Sequence, residues 1–239
     1  MILLSIFLLL AGVPASGDTL PEWFIPLREA VYEQKLNADE ITPLYRNISA
    51  QANGTLSGQA LCVMLSRCEY MMGRSLQYED RKDEAAAFYE RGMNYAQEAL
   101  DLKPSPEGWQ MLAENISQSC AVRSTAWAVS NGLKVERYAK NALNMDSGNT
   151  AAQYMIAARY VYAPAPFHNF KKGIQMMEAI IDGFDSRLQK DDRFNVLSAI
   201  GYAYYQQKMK TDAKIWFIKA LEIYPDNKFA GKILADLQV

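Results

Sequence analysis

Hydrophobic residues recur along the chain at the spacing of one face of an α-helix. A representative stretch repeats its apolar positions three, four, seven and eleven residues after the first, at Leu61, Met64, Leu65, Cys68 and Met72. This spacing places the apolar side chains on one stripe of a helix with 3.6 residues per turn. Sustained alternation of apolar and polar residues, which would predict half-buried strands, is missing after the N-terminal segment. The pattern therefore predicts an all-α fold.

Clusters of Asn, Asp, Gly, Pro and charged residues interrupt the helical pattern. Such clusters favour turns and helix caps. The breaks fall at 37–39, 53–54, 79–84, 104–106, 131–132, 147–149, 182–183 and 225–226. They predict nine or ten helices that pair as antiparallel hairpins. We interpret the charged run at 79–84 as a solvated turn rather than as a site.

The second helices of successive hairpins share a pattern near their C-terminal ends. An alanine recurs at Ala99, Ala142, Ala179 and Ala220, at intervals of 43, 37 and 41 residues. In the clearer copies an aromatic residue precedes this alanine by four positions and so lies on the same helix face. A period of about 40 residues is typical of stacked helical hairpins. Residues 18–239 are therefore predicted to form one solenoid domain of about five hairpins.

Residues 194–227 contain the best copy of the repeat. Its marker positions hold Gly201, Tyr204, Ala213, Phe217, Ala220 and Pro225. With these residues in these positions, the segment resembles a tetratricopeptide repeat (TPR), in which a glycine allows two helices to make close contact. The resemblance implies a TPR-like helical-hairpin solenoid that binds other proteins. It is looser elsewhere, as in an earlier repeat with Gly73, Ala85, Tyr89 and Gly92.

Several longer segments are similar to a narrower group. The stretches ALDLKP, GWQMLAE, ALNMDSGN and ARYVYAPAP, together with the leader described next, resemble exported bacterial TPR proteins similar to the TatT component associated with TRAP transporters. This resemblance implies a periplasmic helical adaptor that holds a partner protein or a small ligand in a groove or a pore.

The first seventeen residues have the character of a secretory signal peptide. Met1 to Val13 is an almost unbroken apolar run, and the small residues around Ala15 suit cleavage near residues 15–17. The run is too short to span a ~30 Å hydrocarbon core comfortably. We therefore expect an exported chain, periplasmic or secreted, without a membrane span in the mature protein. An uncleaved N-terminal anchor is the alternative.

Composition and charge exclude several functional classes. The chain has 25 basic and 27 acidic residues and a net charge of -2, so it lacks the basic surface expected of a nucleic-acid-binding protein. It has one His and three Cys, and no nucleotide-binding, hydrolase or zinc-protease motif occurs. We therefore expect no enzyme activity, no catalytic residue, no metal site and no cofactor.

The few residues with reactive side chains have simpler interpretations. His168 lies in a Pro-broken, aromatic-rich loop, and such a loop on a rigid scaffold is a candidate binding element. Asp191 and Asp192 are interpreted as acidic residues at a helix start, where the helix dipole favours them. Cys62 and Cys68 are too far apart along one helix to pair with each other. Either could pair with Cys120, but we interpret all three as small buried residues.

The first helix of each hairpin is expected to line the inner, concave surface. By spacing, candidate binding residues on this surface are Tyr154, Tyr162, Asn195, Ser198, Tyr202, Tyr205 and Gln206, preceded by Gln110, Glu114 and Gln118. Tyrosine and amide side chains combine hydrogen bonding with contact area, which suits an extended peptide. These positions lack Lys and Arg, which disfavours the family's carboxylate clamp.

The sequence therefore favours an exported scaffold that binds a protein partner or an extended peptide in this groove. A ligand-binding accessory of a periplasmic substrate-uptake (TRAP-like) system is the main alternative, and a homo-oligomer also stays open. An open polar groove would favour the scaffold. An internal pocket lined by Tyr and Met would favour the ligand-binding accessory.

Overall fold

A computed structural model describes residues 20–237, and this part of the chain consists of stacked α-helices without strands. Its helices are α1 (Ile25–Glu33), α2 (Ala38–Thr55), α3 (Gly58–Tyr78), α4 (Lys82–Leu102), α5 (Pro106–Val122), α6 (Thr125–Met145), α7 (Thr150–Tyr162), α8 (Phe170–Phe184), α9 (Lys190–Gln206), α10 (Lys210–Ile223) and α11 (Lys228–Asp236). The predicted all-α solenoid is confirmed. The described residues contain eleven helices rather than nine or ten, and the two shortest, α1 and α11, have only nine residues each.

The predicted signal peptide, residues 1–17, lies outside the described residues. Its cleavage and the export of the chain therefore stay predictions. Within residues 20–237 no helix combines the length and the apolar character needed to cross a membrane.

Polar residues in the predicted breaks start several helices. Asn37 caps α2, since its side chain accepts a hydrogen bond from the Glu40 amide at 3.0 Å and the Glu40 carboxylate accepts one from the Asn37 amide at 2.8 Å. Ser105 and Asn149 cap α5 and α7 through single side-chain bonds. The break predicted at Asn131 and Gly132 is wrong, because both lie inside α6. There the Asn131 side chain donates to a backbone carbonyl one turn earlier, so the helix continues.

Four hairpins, α3/α4, α5/α6, α7/α8 and α9/α10, stack in chain order, and each contacts the next. Close contact inside a hairpin depends on glycine. A Cβ added at Gly201 would lie 3.1 Å from Cδ2 of Phe217, and one at Gly73 would lie 2.5 Å from Cε1 of Tyr89. In both hairpins the aromatic ring therefore occupies the space beside a glycine on the first helix. The glycine and aromatic positions predicted from the repeat are the contact points between paired helices.

The repeated alanine is buried in three hairpins and exposed in the fourth. Ala99, Ala142 and Ala220 are fully buried, as close packing of the second helices requires. Ala179 is exposed, so the register predicted for α8 is wrong. The buried face of α8 instead contains Gly173, Ile174, Met177 and Ile180. An alanine without the preceding aromatic residue was not a reliable marker of the repeat.

Candidate functional site

The inner surface of the solenoid is formed by α3, α5, α7 and α9, the first helices of the four hairpins, each in contact with the next. This row is the surface predicted to bind a partner. The N-terminal helix α1 lies against part of it: α1 packs on α2 and α3 and also bonds to the last hairpin. The groove is therefore not open along its whole length.

Tyr32 makes the central contact between α1 and the C-terminal part of the chain. Its buried ring stacks on Tyr224, with centroids 5.2 Å apart at an interplanar angle of 24°, and meets Phe194 edge-on at 5.8 Å. The Tyr32 hydroxyl accepts a hydrogen bond from Asn195 Nδ2 at 2.9 Å, and its backbone carbonyl accepts one from Asn227 Nδ2 at 2.9 Å. These contacts fix α1 to α9, to the end of α10 and to the start of α11.

Charged groups add to this attachment. Arg28 approaches Asp191, with Nη1 and Oδ1 3.5 Å apart, and Glu29 forms an ion pair with Lys190. The Tyr224 hydroxyl donates to Glu29 Oε1 at 3.2 Å. The Lys190 and Arg28 charges lower the pKa of Glu29 against the opposing effect of burial, as expected for a carboxylate held between two cations. The two ends of the solenoid are thus held together by α1.

A cavity of about 70 Å³ lies on the inner surface beside α1. One wall is formed by Tyr32, Tyr70 and Met71, and the others by the N-terminal parts of α5, α7 and α9. The lining contains five carboxylates and two guanidinium groups, from Glu107, Glu114, Asp146, Asp191, Asp192, Arg67 and Arg187. Since Arg187 is exposed, the cavity reaches the surface at that edge.

Carboxylates from two helices face this cavity. Asp191 and Asp192 lie in the first turn of α9, as predicted, and Thr150 Oγ1 donates to Asp192 Oδ2 at 3.2 Å. Glu114, on α5, accepts a hydrogen bond from Gln110 Nε2 at 3.0 Å. Burial raises the pKa of Glu114, and burial together with the charges of Asp191 and Glu114 raises the pKa of Asp192 well above its ordinary value. The helix start favours these aspartates, but it does not offset their burial.

Basic residues also face the inner surface, from α3, whose residues the sequence prediction did not include among the groove positions. Arg74 on α3 donates from Nη1 to the hydroxyls of Tyr32 at 3.2 Å and Tyr70 at 3.1 Å, and from Nη2 to Tyr78. Its guanidinium also lies over the Tyr32 ring, 4.8 Å from the centroid. The sequence does carry a signal for this cluster, because Arg67, Tyr70, Arg74 and Tyr78 share one face of α3 at helical spacing.

The predicted binding residues on α9 change from covered to accessible along the helix. Asn195 is half-buried and bonded to Tyr32 of α1. Ser198 is 3% exposed, so it does not offer a contact to a partner in this conformation. Tyr202 and Tyr205 are half-buried, and Gln206 is exposed. The accessible part of the predicted groove is therefore its end away from α1.

Aromatic side chains from three helices meet at this accessible end. Tyr162, which is 45% exposed, stacks on Tyr202 with centroids 5.2 Å apart, and Tyr202 lies 6.2 Å from Phe229 of α11. We call Tyr162, Tyr202 and Phe229 the aromatic surface. Tyr154 lies two turns before Tyr162 on α7 and is half-buried, and burial raises its pKa well above the ordinary value. The Tyr154 side chain therefore packs against its neighbours rather than offering a contact to a partner.

His168 and the three cysteines belong neither to the cavity lining nor to the aromatic surface. His168 stacks on Phe170, with centroids 4.4 Å apart, in the loop before α8, and the neighbouring Phe167 is exposed. All three cysteines are free thiols, with Cys62 and Cys68 buried and Cys120 half-buried. Among residues 20–237 there is no group of three His, Cys, Asp or Glu side chains that could hold a metal ion.

Comparison with known proteins supports the repeat assignment at the C-terminal end. Residues 194–227, which contain most of α9, all of α10 and the turn after it, match the family model of the tetratricopeptide repeat. The TPR-like repeat is therefore shown for this hairpin. It includes Gly201 and Phe217, the contact pair described above.

A search of solved structures found several matching chains, and YrrB is one of them. The chain is similar to YrrB, described as a TPR protein with an unusual peptide-binding site, at 13% sequence identity and a TM-score of 0.38. The alignment covers 86% of this chain and 96% of YrrB. No curated protein sequence matches the chain.

Proposed function

We propose that this protein is a TPR-like scaffold that binds a protein partner, through an extended segment, at the aromatic surface and the adjoining Tyr205 and Gln206. The observation that carries the proposal is the Tyr162–Tyr202 stack. It joins the first helices of two successive hairpins and leaves Tyr162 about half exposed. An extended segment lying across both helices would contact both rings.

The chemistry of this surface supports a peptide rather than a rigid flat partner. Tyrosine rings supply contact area at a low cost in side-chain entropy, and their hydroxyls bond to a peptide backbone. Gln206 adds an exposed amide one turn beyond Tyr202. The first turns of the groove are occupied by α1, so the partner segment would engage the accessible end only.

We further propose that the scaffold is exported and acts in the periplasm or outside the cell. The apolar run from Met1 to Val13, followed by the small residues around Ala15, supports this proposal. The proposed scaffold function includes no catalytic role.

A second function, as a ligand-binding accessory of a TRAP-like substrate-uptake system, is favoured by one specific observation. The cavity is bordered on one side by Tyr32 of α1 and carries convergent polar groups, as small-molecule sites do. Tyr32, Tyr70 and Met71 form one of its walls, but most of the lining is polar or charged, which differs from the Tyr and Met pocket expected from the sequence.

The scaffold function is tested by affinity capture from the cell envelope with the double variant Tyr202→Ala/Tyr205→Ala. The matched control, Ile215→Ala/Ile218→Ala, removes two exposed side chains from α10. We expect the tyrosine variant to lose a partner that the wild type and the control retain, with unchanged helical circular dichroism. Retention by all three chains would contradict the proposed surface.

A further inference from the structure

We propose that one edge of the solenoid docks on the surface of an anionic lipid membrane. The edge is formed by the turns inside the hairpins α5/α6, α7/α8 and α9/α10 and by the helix ends beside them, at residues 123–137, 163–172 and 207–210. We call these three segments the basic edge. None of their residues belongs to the aromatic surface, and the proposal does not depend on peptide binding there.

Contacts between helices bring the three segments to the same edge. The helices α7 and α9 meet near their C-terminal ends, where Tyr162 stacks on Tyr202. The helix α6 is joined to α7 by an ion pair between Glu136 and Arg159. Because α7 ends three residues after Arg159, whereas eleven residues of α6 precede Glu136, the start of α6 projects beyond the end of α7.

Large apolar side chains extend into solvent along this edge. Val129 and Leu133 lie one turn apart on the projecting part of α6 and are 73% and 71% exposed. Phe167 is 67% exposed in the turn between α7 and α8, which its backbone amide closes by donating to the Pro164 carbonyl at 2.8 Å. Met209, between α9 and α10, is 43% exposed. Several exposed apolar side chains along one edge differ from the scattered single residues that are usual on a soluble protein, and they mark an interaction surface.

The charged residues of the basic edge have almost entirely one sign. The edge contains one acidic residue, Glu136, and its basic residues are Arg123, Lys134, Arg137, Lys171, Lys172, Lys208 and Lys210. This balance is concentrated locally, since the whole chain has a net charge of -2. Lys134, Lys171 and Lys208 are exposed, and within residues 20–237 they form no ion pair. Their charges are therefore available to an external anionic surface.

The combination of apolar and basic side chains favours a membrane as the occupant. Anionic lipid headgroups attract lysines near the surface, and apolar side chains between those lysines enter the boundary of the acyl chains. A second copy that docked through the same edge would instead bring like charges together. The opposite edge also exposes apolar residues, Leu102 at 58% and Met145 at 50%, but they adjoin Asp101 and Asp146. Charge therefore selects the basic edge as the one that faces the lipid.

The proposal is tested by co-sedimentation with lipid vesicles. The protein is measured as the full chain and as the chain from Asp18 onwards, which keeps every described helix and removes the apolar run from Met1 to Val13 as a separate cause of binding. For the shorter chain we expect binding to vesicles of phosphatidylcholine and phosphatidylglycerol to be at least about tenfold stronger than to phosphatidylcholine alone. About 0.5 M NaCl should remove most of this difference by screening. Absence of binding to the anionic vesicles, or equal binding to both kinds, would overturn the proposal.

An apolar double variant locates the contact on α6. Val129→Gln/Leu133→Gln removes two exposed apolar side chains, and Leu102→Gln/Met145→Gln makes the same kind of change at the opposite edge as the control. We expect the first variant to weaken binding to anionic vesicles at least about tenfold and the control to bind as wild type. Unchanged binding by the first variant, or an equal loss in the control, would contradict docking through the basic edge.

A charge variant tests the second part of the surface independently. Lys134→Gln/Lys171→Gln should weaken binding to anionic vesicles at least about tenfold, and the exposed pair Lys103→Gln/Lys232→Gln should not. Helical circular dichroism should be unchanged, because all of these side chains are exposed. If the wild type forms an oligomer that the edge variants dissociate, and it does not bind vesicles, the edge is a contact between copies and the proposal is wrong. These measurements need no partner and leave Tyr202 unchanged, so their failure would not affect the proposed peptide surface.

Discussion

The ring of Tyr32, near the N-terminal end of the described chain, stacks on the ring of Tyr224 in the last hairpin, with centroids 5.2 Å apart. An open solenoid makes contacts only between neighbouring repeats. Here the aromatic stack, the Asn227 bond to the Tyr32 carbonyl and the Glu29–Lys190 ion pair join its two ends through α1. The stability of the first and last hairpins should therefore depend on each other.

Truncating Tyr32 tests this coupling. Replacing a large buried aromatic residue by alanine costs about 3–5 kcal/mol, so Tyr32→Ala should lower the free energy of unfolding by about that amount in urea denaturation. Tyr32→Phe keeps the stack but loses the bonds from Asn195 and Arg74, and it should cost about 1–3 kcal/mol because it leaves those donors unpaired. A loss below about 1 kcal/mol for Tyr32→Ala would show that α1 is not anchored there.

Alanine at the contact glycines should destabilise the two hairpins to different extents. Gly73→Ala places a Cβ 2.5 Å from the fully buried Tyr89, and Gly201→Ala places one 3.1 Å from Phe217. Overpacking costs typically about 1–3 kcal/mol, and Gly73→Ala should lie at the upper end. Gly132→Ala, inside α6, is the control. A Cβ added there would have nothing within 4 Å, so this variant should stabilise the folded protein by roughly 0.5–1 kcal/mol. Thermal unfolding that ranks the three variants otherwise would contradict the packing described.

The cavity carboxylates predict a pH dependence of stability. Glu114 and Asp192 have ordinary pKa values of 4.5 and 3.8, and both are raised in the folded chain. The folded state therefore keeps protons that the unfolded state has released, and their stabilising contribution is lost as pH rises through the raised pKa values. Relative to Asp192→Asn, the wild type should lose free energy of unfolding as pH increases above 3.8, the ordinary pKa of the aspartate that the variant removes. Parallel curves for the two chains would contradict the buried like-charge pair, and the control Glu222→Gln, at an exposed position on α10, should follow the wild type.

The sequence predicted the parts of the fold that repeat. Gly201 and Phe217 were identified from the resemblance of their segment to a TPR, and Gly73 and Tyr89 from a looser match to the same pattern, and the structure places both pairs in contact. Helix periodicity and capping residues are local properties, so they can be found without tertiary information. Where one marker stood alone, as at Ala179, the prediction was wrong.

The position of α1 could not be predicted in this way. Residues 25–33 match no repeat, and their contacts with Asn195, Tyr224 and Asn227 join segments that are far apart in sequence. For the same reason the sequence analysis placed Asn195 and Ser198 in an open groove, whereas the structure covers one with α1 and buries the other. The aspartates at the start of α9 were correctly placed, but their burial beside Glu114 depends on the packing of three hairpins.

Binding of a partner at the aromatic surface is tested most directly by site-specific photo-crosslinking in the cell envelope. Tyr202 is replaced by photoreactive p-benzoylphenylalanine, and Ile215, exposed on α10, receives the same residue as the control. We predict one abundant adduct from position 202, mapped by mass spectrometry to an extended segment of a single protein, and no such adduct from position 215. Equal adducts from both positions, or none from position 202, would contradict the proposed function.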